Sequence, residues 1–312
     1  MMSGTGIDVV IPAYRPGKEL RTLLQRLQEQ TVRPDRILLI NTQRELFDDR
    51  LVDGIGGVTV VHVTKKQFDH GGTRHMAAKL LDGEFFLCMT QDCIPADSGM
   101  TGALRAAFAD PHVAAAYARQ LPKPDCGVLE RYTRSFNYGE ESRIKTAEDL
   151  PELGIKTFFC SNVCAMYRRS DYEALDGFER HTIFNEDMIF AGRLILSGRA
   201  VAYCADARVI HSHNYSGLQQ FHRNFDLGVS QADHPEIFEK ARSESEGIRM
   251  VKQCAADLLK TGKPYLLPKL VWQSGWKFLG YRLGRRYRKL PRRMILACTM
   301  NKAYWTVSDG RR

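Results

Sequence analysis

Residues 7–30 read IDVVIPAYRPGKELRTLLQRLQEQ, and this stretch sets the fold class. Its first part, Ile7–Ile11, is a run of β-branched and apolar residues typical of a buried strand. In Glu19–Gln30 the leucines recur at the three- and four-residue spacing of one helix face. The chain therefore opens with a strand followed by a covering helix.

The same alternation continues as far as residue 89. Further strand patterns and one helical pattern lie, in order, at Arg36–Ile40, Val58–Val63, Thr73–Leu81 (helical) and Phe85–Met89. A β-α-β-β-α-β order is typical of α/β domains, because each crossover helix packs on the sheet that it connects. We therefore predict a mostly parallel sheet with helices on both faces.

The second half of the chain gives weaker patterns. Strands are predicted at Ala114–Ala118, Thr157–Cys160, Val163–Tyr167, Val201–Cys204 and Arg208–His211, and helices at Asp187–Ser197 and from Leu218 onward. Gly198 stands where a helix commonly ends. We divide the chain into a main domain at residues 1–232 and a helical C-terminal extension at residues 233–312.

Composition excludes several classes of protein. The chain has 312 residues, 44% hydrophobic and 26% charged, which is an ordinary globular mixture. None of the eight cysteines forms a CxxC pair, so we expect buried free thiols in a reducing compartment. No run reaches the roughly 18 apolar residues of a membrane span, and the first residues do not resemble a signal peptide. We expect a cytoplasmic protein.

Positive charge is concentrated at the C-terminal end. Residues 260–312 hold 14 Lys and Arg against one acid, Asp309, whereas the rest of the chain is mildly acidic. Between residues 266 and 294 these cations alternate with apolar and aromatic residues, which is typical of a helix lying on anionic lipid. An oligomer interface, or a helix packed on the main domain, would also explain the pattern. No nucleic-acid-binding motif accompanies it, so we expect no nucleic-acid partner.

Acids and histidines follow several predicted strands, and ligands of such sheets bind at the carboxyl ends of strands. Asp92 follows Phe85–Met89, where a carboxylate can hold Mg²⁺ or Mn²⁺ beside a diphosphate, although a turn or cap role also explains it. Asp187 lies at a helix start, where it complements the helix dipole or accepts a proton from a hydroxyl. Strand alternation puts His211 and His213 on one face, able to contact one metal or one phosphate.

The segment FDHGGTR (residues 68–74) joins a strand to a helix. Its two glycines permit close approach to a backbone, and a helix N-terminus favours anions. Arg74 carries a guanidinium suited to phosphate. The segment matches neither the Walker pattern nor GxGxxG, so the sequence does not determine how it would contact a phosphate.

Taken in order, these segments resemble glycosyltransferase family 2, the inverting enzymes of the GT-A fold, over about residues 7–293. VIPAY (10–14) resembles the opening strand and nucleotide-contacting turn of the family, QDC (91–93) occupies the place of its metal-binding DxD motif, and ED (186–187) that of its catalytic base. Within the family the likeness is to bacterial rhamnosyltransferases, through the words FDHGGTR, TQDC, RSFNYG, FNEDMIF, HSHNYS and GYRLGRRYRKLP.

This resemblance implies a GT-A catalytic domain, with a Rossmann-like mixed sheet, followed by the C-terminal helical extension. It implies that Asp187, with Glu186, is catalytic and that Asp92 and His213 hold Mn²⁺ or Mg²⁺. It places the nucleotide sugar against Pro12, Tyr14, Asn41, Asp69, His70, Gly71, Arg74, Gln91 and Asp92. It also favours the acceptor side for the region of Tyr132, Arg134, Asn137 and Tyr138, although a buried aromatic cluster would explain these residues equally well. Two departures weaken the match: the DxD motif keeps a single acid, and Asn41 stands where the family usually has an aspartate.

The activity that the resemblance implies is inverting transfer of L-rhamnose from dTDP-β-L-rhamnose, giving an α-linkage. The expected acceptor is a cell-surface glycan carried on a polyprenyl diphosphate, so we expect the enzyme at the inner face of the cell membrane. Two alternatives remain open at this point. One is a family member that uses a UDP-hexose, and the other is a catalytically silent scaffold of a glycan assembly complex.

Overall fold

The computed structural model describes residues 5–241 and 243–308. These residues form an α/β fold with helices on both faces of a sheet. One sheet of nine strands runs through these residues. The strands are β1 (Ile7–Tyr14), β2 (Arg36–Thr42), β3 (Val58–Val63), β4 (Phe85–Met89), β5 (Ile94–Pro95), β6 (Val113–Leu121), β7 (Arg143–Lys145), β8 (Cys164–Arg168) and β9 (Ala200–Ile210).

The sheet is mixed but has a parallel half. Its strand order is β3-β2-β1-β4-β8-β6-β9-β5, with β7 also paired to β9. Strands β1 to β4 are parallel to one another, and β6 is parallel to β9. Strand β8 runs antiparallel between β4 and β6. The carboxyl ends of β1 to β4 consequently meet at one edge, as predicted.

Thirteen α-helices of four residues or more are formed in the same described ranges. They are α1 (Lys18–Gln28), α2 (His70–Lys79), α3 (Met100–Ala106), α4 (Val128–Asn137), α5 (Leu150–Leu153), α6 (Arg169–Ala174), α7 (Glu186–Leu196), α8 (Gly217–Asp233), α9 (Pro235–Phe238), α10 (Ser243–Lys260), α11 (Leu267–Gly284), α12 (Arg292–Cys298) and α13 (Lys302–Ser308). Short 3₁₀ turns occupy several of the connections.

Each face of the sheet buries its own apolar core. On one face Ile11 of β1 packs with the buried leucines of α1 and with Met100 and Leu104 of α3. On the other face Val10 packs with Ala77 of α2 and with residues of α7 such as Phe190. This alternation along β1 is the two-residue period of a strand covered on both sides. All eight cysteines are buried and unpaired, as predicted.

Two of the strand predictions are wrong in detail. Thr157–Cys160 was predicted as a strand, but the chain forms a 3₁₀ turn at Gly154–Phe158. Thr157, Phe158 and Cys160 are buried, but they lie in or next to this turn and not in an extended strand. A short apolar run alone does not distinguish a buried turn from a buried strand. The two strands predicted within residues 201–211 form one continuous strand, β9. Its pairing with β6 changes register between Ala118 and Arg119 of β6.

The C-terminal helix α11 packs closely against α8, and glycines make this possible. A Cβ on Gly280 would lie 2.2 Å from the Phe221 carbonyl oxygen, and one on Gly284 would lie 2.1 Å from that of Phe225. One face of α11 is thereby fixed on the rest of the molecule. None of the helices in the described residues has the length and apolarity needed to cross a bilayer. The domain boundary at residue 232 stays a prediction.

Candidate active site

The end of β4 lies beside the end of β1. The Tyr14 N–H donates to Gln91 Oε1 at 2.9 Å, and Gln91 Nε2 donates back to the Tyr14 carbonyl at 3.1 Å. Tyr14 is in turn opposite Thr42 of β2. Asp92, which follows Gln91, therefore lies at the edge of the sheet where ligands bind in α/β folds.

Asp92 lies in contact with two histidines from the end of β9. Its Oδ2 atom is 3.3 Å from His213 Nε2 and 3.5 Å from His211 Nε2. The two Nε2 atoms are 3.1 Å apart, and the three potential ligand atoms lie within 4.8 Å of one another. The predicted metal pair of Asp92 and His213 is thus brought together, and His211 joins it.

Burial favours the neutral form of both histidines. Burial lowers the pKa of His211 to about 3 and also lowers the pKa of His213. A neutral imidazole keeps a lone pair that can bind a metal. Gln120 of β6 supports His211 from behind, because its Oε1 atom lies 3.1 Å from His211 Nδ1. That contact favours a proton on Nδ1 and leaves Nε2 facing Asp92.

Asp187 lies in the first turn of α7, at the same end of the sheet. Its Oδ2 atom accepts a hydrogen bond from the Asn162 N–H at 2.9 Å, and its Oδ1 atom accepts one from the Met188 N–H at 2.8 Å. Burial raises the pKa of Asp187 to about 7, and the negative charge of Glu186 acts in the same direction. A carboxylate with such a pKa is a stronger base than an ordinary aspartate.

Glu186 forms a buried ion pair with Arg74 of α2. Glu186 Oε1 lies 3.0 Å from Arg74 Nη1, and it also accepts a hydrogen bond from Asn162 Nδ2 at 3.1 Å. Burial alone would raise the pKa of Glu186, but Arg74 and His70 outweigh burial and the pKa is lowered. The two neighbouring acids therefore differ: Glu186 stays charged as the partner of Arg74, while Asp187 lies ready to bind a proton.

Residues 161–162 and Gln120 lie between Asp187 and the Asp92 cluster and contact both. Asn162 donates to Asp187, and the adjacent Ser161 hydroxyl accepts a hydrogen bond from Gln120 Nε2 at 3.0 Å. Gln120 then contacts His211, which faces Asp92. The β4–β8 connection adds a direct link, because the Thr90 N–H donates to the Val163 carbonyl at 3.2 Å. The two acids lie on one side of the molecule, at one end of the sheet.

The residues predicted to bind the nucleotide divide into two groups. Pro12, Tyr14 and Asn41 lie at the adjacent ends of β1 and β2, near Gln91 and Asp92. The Tyr14 side chain is exposed, and Asn41 is buried with its Nδ2 atom donating to the Gln43 carbonyl at 3.0 Å. These residues border the same edge as Asp92, and their contact with a nucleotide stays a prediction.

The second group, at the start of α2, is engaged within the protein. Asp69 caps the helix, since its Oδ1 atom accepts hydrogen bonds from the N–H groups of Gly71 and Gly72. A Cβ on Gly71 would lie 1.8 Å from the Glu179 carbonyl oxygen, so this glycine admits a neighbouring segment of the protein itself. His70 lies beside Arg74, which binds Glu186. Their role in phosphate binding also stays a prediction.

The four residues predicted on the acceptor side face different surroundings. Tyr132 lines a cavity beside His213, and Asn137 lines a separate depression on the surface. Arg134 pairs with Glu130 at 2.7 Å and also donates to Gln120. Tyr138 is buried, and its hydroxyl accepts a hydrogen bond from Gln120 Nε2. Only Tyr132 among them borders the cavity next to the metal cluster.

Two supporting residues, Gln120 and Asn162, carry no local sequence signal. Gln120 reaches His211 because β6 pairs with β9, with Gln120 opposite Val209. Asn162 binds both Glu186 and Asp187 from the turn before β8. His211 did carry a signal, namely its two-residue spacing from His213, which places both rings on one side of a strand.

Comparison with known proteins decides the family. The profile of Glycosyl transferase family 2 matches residues 8–176, which is more than half of the chain. The chain belongs to glycosyltransferase family 2. The match contains β1 to β8, and with them Asp92 and Asn162. The prediction that the chain is a glycosyltransferase is confirmed.

Two curated relatives of this glycosyltransferase come from Salmonella. O-antigen chain rhamnosyltransferase RfbN of Salmonella typhimurium is 40% identical over 301 residues, which cover 96% of each chain. O-antigen chain rhamnosyltransferase WbaN of Salmonella anatum is 38% identical and covers 95% of each chain. The likeness to the rhamnosyltransferase subgroup is thereby confirmed.

Solved structures of other glycosyltransferases share the fold. Mannosyltransferase PcManGT from Pyrobaculum calidifontis, in complex with GDP-Man and Mn²⁺, has a TM-score of 0.56 at 15% identity and covers 99% of this chain and 84% of its own. S. aureus TarS 1-349 in complex with UDP-GlcNAc has a TM-score of 0.51 at 16% identity, covering 91% of both chains. The predicted GT-A fold is confirmed.

The cluster of Asp92, His211 and His213 fits a divalent cation. One carboxylate oxygen and two neutral imidazole nitrogens converge, and His211 is oriented by Gln120 in the manner of metal-binding histidines. Three protein ligands leave further coordination positions for the oxygens of a diphosphate. In this family 2 enzyme the site therefore suits a divalent metal that a nucleotide sugar would share.

Proposed function

We propose that this enzyme transfers L-rhamnose from dTDP-β-L-rhamnose to a cell-surface glycan, with inversion to an α-linkage. The observation that carries the proposal is the position of Asp92 and Asp187 at the same end of the sheet, where residues 161–162 and Gln120 lie between them. The Salmonella relatives, both named as O-antigen chain rhamnosyltransferases, support rhamnose as the sugar.

Asp187 acts as the general base in this proposal. Its carboxylate accepts the proton of the acceptor hydroxyl while that oxygen attacks the anomeric carbon of the donor from the face opposite the diphosphate. One in-line displacement inverts the anomeric centre, and the sugar passes through a transition state with oxocarbenium character. Asn162 and Met188 hold the carboxylate in place through their N–H groups.

Asp92, His211 and His213 hold the divalent cation, and we favour Mn²⁺ over Mg²⁺. Magnesium binds oxygen ligands almost exclusively, so two imidazole ligands disfavour it, and the mannosyltransferase of the same fold is in complex with Mn²⁺. When bound, the metal supplies positive charge that stabilises the departing diphosphate. Tyr14, Asn41 and Gln91 border the same edge and would contact the nucleoside.

Contact with an anionic membrane is the second part of the proposal. Val271, Trp272, Phe278 and Leu279 are exposed on α11 at the spacing i, i+1, i+7 and i+8, so they form one apolar stripe. Arg282 continues the stripe by one turn, and residues 260–312 carry 14 Lys and Arg against one acid. An apolar stripe beside cations is suited to the surface of an anionic bilayer. It supports a peripheral location at the inner face of the membrane.

A donor panel tests the proposed reaction. The full chain with Mn²⁺ is given dTDP-L-rhamnose, UDP-glucose, UDP-galactose or GDP-mannose, together with polyprenyl-diphosphate-linked acceptors, and release of nucleotide diphosphate is measured. We expect turnover with dTDP-L-rhamnose and an α-rhamnosyl product by NMR. Faster turnover of a UDP-hexose would mean that the donor is that sugar nucleotide and not dTDP-L-rhamnose. Failure of all donors to bind, with no turnover, would favour the scaffold alternative.

A further inference from the structure

A cavity of about 660 Å³ lies between α4, the start of α8, α10 and α11. His213 and Asn214 line one end of it, so the cavity adjoins the metal cluster. None of the residues predicted to bind the nucleotide borders it. Its volume falls in the range of roughly 300–1,000 Å³ that holds ligands of drug size, and a short saccharide is such a ligand.

The walls of the cavity are held in place by apolar packing. Leu129 of α4, Cys254 and Leu258 of α10, and Leu270 of α11 form one buried cluster. Helix α11 is also fixed on α8 through its glycines. Buried contacts therefore fix the positions of the helices that bound the cavity, and with them its shape.

Two lysines on the α11 wall have no partner within the described residues. Lys269, Gln273 and Lys277 line the cavity at successive four-residue intervals, which places them on one face of the helix. Neither side-chain ammonium group has a hydrogen bond or an ion pair with any residue of 5–241 or 243–308. Burial lowers the pKa of Lys277, so its ammonium group gains from an anionic ligand.

One acid of the opposite wall, Glu130, attracts Lys277, but its charge raises the pKa of Lys277 by less than burial lowers it, and the two side chains form no ion pair. Glu130 is paired with Arg134 at 2.7 Å, and Asp125 is exposed at the rim. Aromatic side chains also face the cavity: Tyr132 from α4, Tyr215 beside His213, and Trp272 from α11. Aromatic faces pack well against the C–H faces of sugar rings, while lysines bind phosphate oxygens.

We infer that this cavity binds the acceptor as a glycosyl diphosphate, with its sugar between Tyr132 and Trp272 and its diphosphate on Lys269 and Lys277. This inference rests on the proposed function and adds the location of the acceptor. The sugar end of such a ligand points toward His213 and the metal cluster. Its carrier leaves beside Trp272, which also belongs to the exposed apolar stripe of α11.

Acceptor kinetics of two variants, Lys277→Gln and Trp272→Ala, test the inference. The probes are alkyl-diphosphate-linked D-galactose, D-glucose and N-acetyl-D-glucosamine, each beside the alkyl glycoside that lacks the diphosphate. We expect Lys277→Gln to raise the KM of the diphosphate-linked acceptor at least about tenfold, because a charge-assisted hydrogen bond is lost, and to leave the plain glycoside nearly unchanged. Trp272→Ala should raise the KM of both, and Trp272→Phe should restore much of the affinity.

Lys252→Gln is the matched control, since Lys252 is exposed on α10 and does not line the cavity. It should keep the acceptor KM of the wild type. Binding of dTDP and the slow hydrolysis of the donor without acceptor should be the same in all variants, which separates this inference from the proposed reaction. An unchanged acceptor KM in both cavity variants, or a loss of dTDP binding instead, would overturn the assignment.

Wild-type enzyme gives a second measurement that does not depend on the folding of a variant. Trp272 is one of three tryptophans, and it lines the cavity while its side chain stays exposed. Titration with the diphosphate-linked acceptors should change the tryptophan fluorescence of the wild type, and Trp272→Phe should remove most of that change. A flat titration of the wild type with all three acceptors would contradict the inference.

Discussion

Gln120 Oε1 lies 3.1 Å from His211 Nδ1, on the side of the imidazole ring that faces away from Asp92. This contact orients the ring and fixes which nitrogen carries the proton. The same glutamine donates through Nε2 to Ser161, next to Asn162 and the Asp187 carboxylate. One buried side chain thus supports the metal cluster and the base together.

Replacing Gln120 by Leu should weaken metal binding. Loss of such a supporting contact typically lowers metal affinity by roughly 10- to 100-fold. Isothermal titration of Mn²⁺ into the two proteins measures the change directly. Ser161→Ala is the control, because it removes a partner of the Gln120 amide nitrogen and leaves the contact with His211. Equal Mn²⁺ affinity of Gln120→Leu and the wild type would show that Gln120 does not orient a ligand.

Replacing Asp187 by Asn should abolish most of the transfer and keep the binding of dTDP. General-base loss costs on the order of 10² to 10⁴ in rate. The pH profile gives an independent check. Asp187 has a raised pKa of about 7 and reacts as the carboxylate, so kcat of the wild type should be high above pH 7 and fall as the pH drops below it. The residual activity of the variant should lack this fall. Near-normal transfer by Asp187→Asn would assign the base to another group.

Breaking the ion pair of Arg74 and Glu186 should destabilise the fold strongly. Arg74→Met leaves the buried Glu186 carboxylate without its partner, and loss of one member of a buried pair costs about 3–5 kcal/mol. Urea unfolding at neutral pH measures this loss. Arg26→Met is the control, because its pair with Glu29 is exposed and such pairs contribute about 0–1 kcal/mol. Similar unfolding midpoints for the two variants would argue against a structural role of the buried pair.

Charges placed on the apolar stripe of α11 should remove membrane binding. The double variant Phe278→Glu, Leu279→Glu is compared with the wild type by sedimentation with phosphatidylglycerol vesicles. We expect wild-type binding that weakens with added salt and on zwitterionic vesicles, and none for the variant. Leu80→Glu, which charges an exposed leucine just after α2, should bind like the wild type. Equal binding of all three proteins would exclude the stripe as the contact.

The parallel half of the fold was predictable because local pattern determines it. In Ile7–Ile11 and in α1, the spacing of the apolar residues alone predicts which residues are buried. Thr157–Cys160 shows the limit, since four apolar and β-branched residues are equally compatible with a buried turn. Asp92 and Asp187 were predictable as acids at the ends of elements, with the family resemblance deciding between alternatives.

The supporting residues of the site were not predictable in this way. Gln120 lies inside a strand and gains its role only when β6 pairs with β9, beyond the reach of any local pattern. The neighbour of the glycines at residues 71–72 was not predictable either. They permit a close approach, as predicted, but the partner is the chain at residues 179–180, and tertiary packing alone selects that partner.

The glycines of α11 provide the last prediction, because two of them in one helix should respond in opposite directions. A Cβ on Gly280 would lie 2.2 Å from the Phe221 carbonyl oxygen of α8, so Gly280→Ala must push the two helices apart. Overpacking of this kind typically costs about 1–3 kcal/mol. Gly275 has no atom within 4 Å of its added Cβ, so Gly275→Ala should stabilise the helix by about 0.5–1 kcal/mol through propensity alone. Thermal unfolding should therefore give a lower Tm for Gly280→Ala and a slightly higher one for Gly275→Ala. A shift of the same sign in both variants would mean that α11 does not dock on α8 as described.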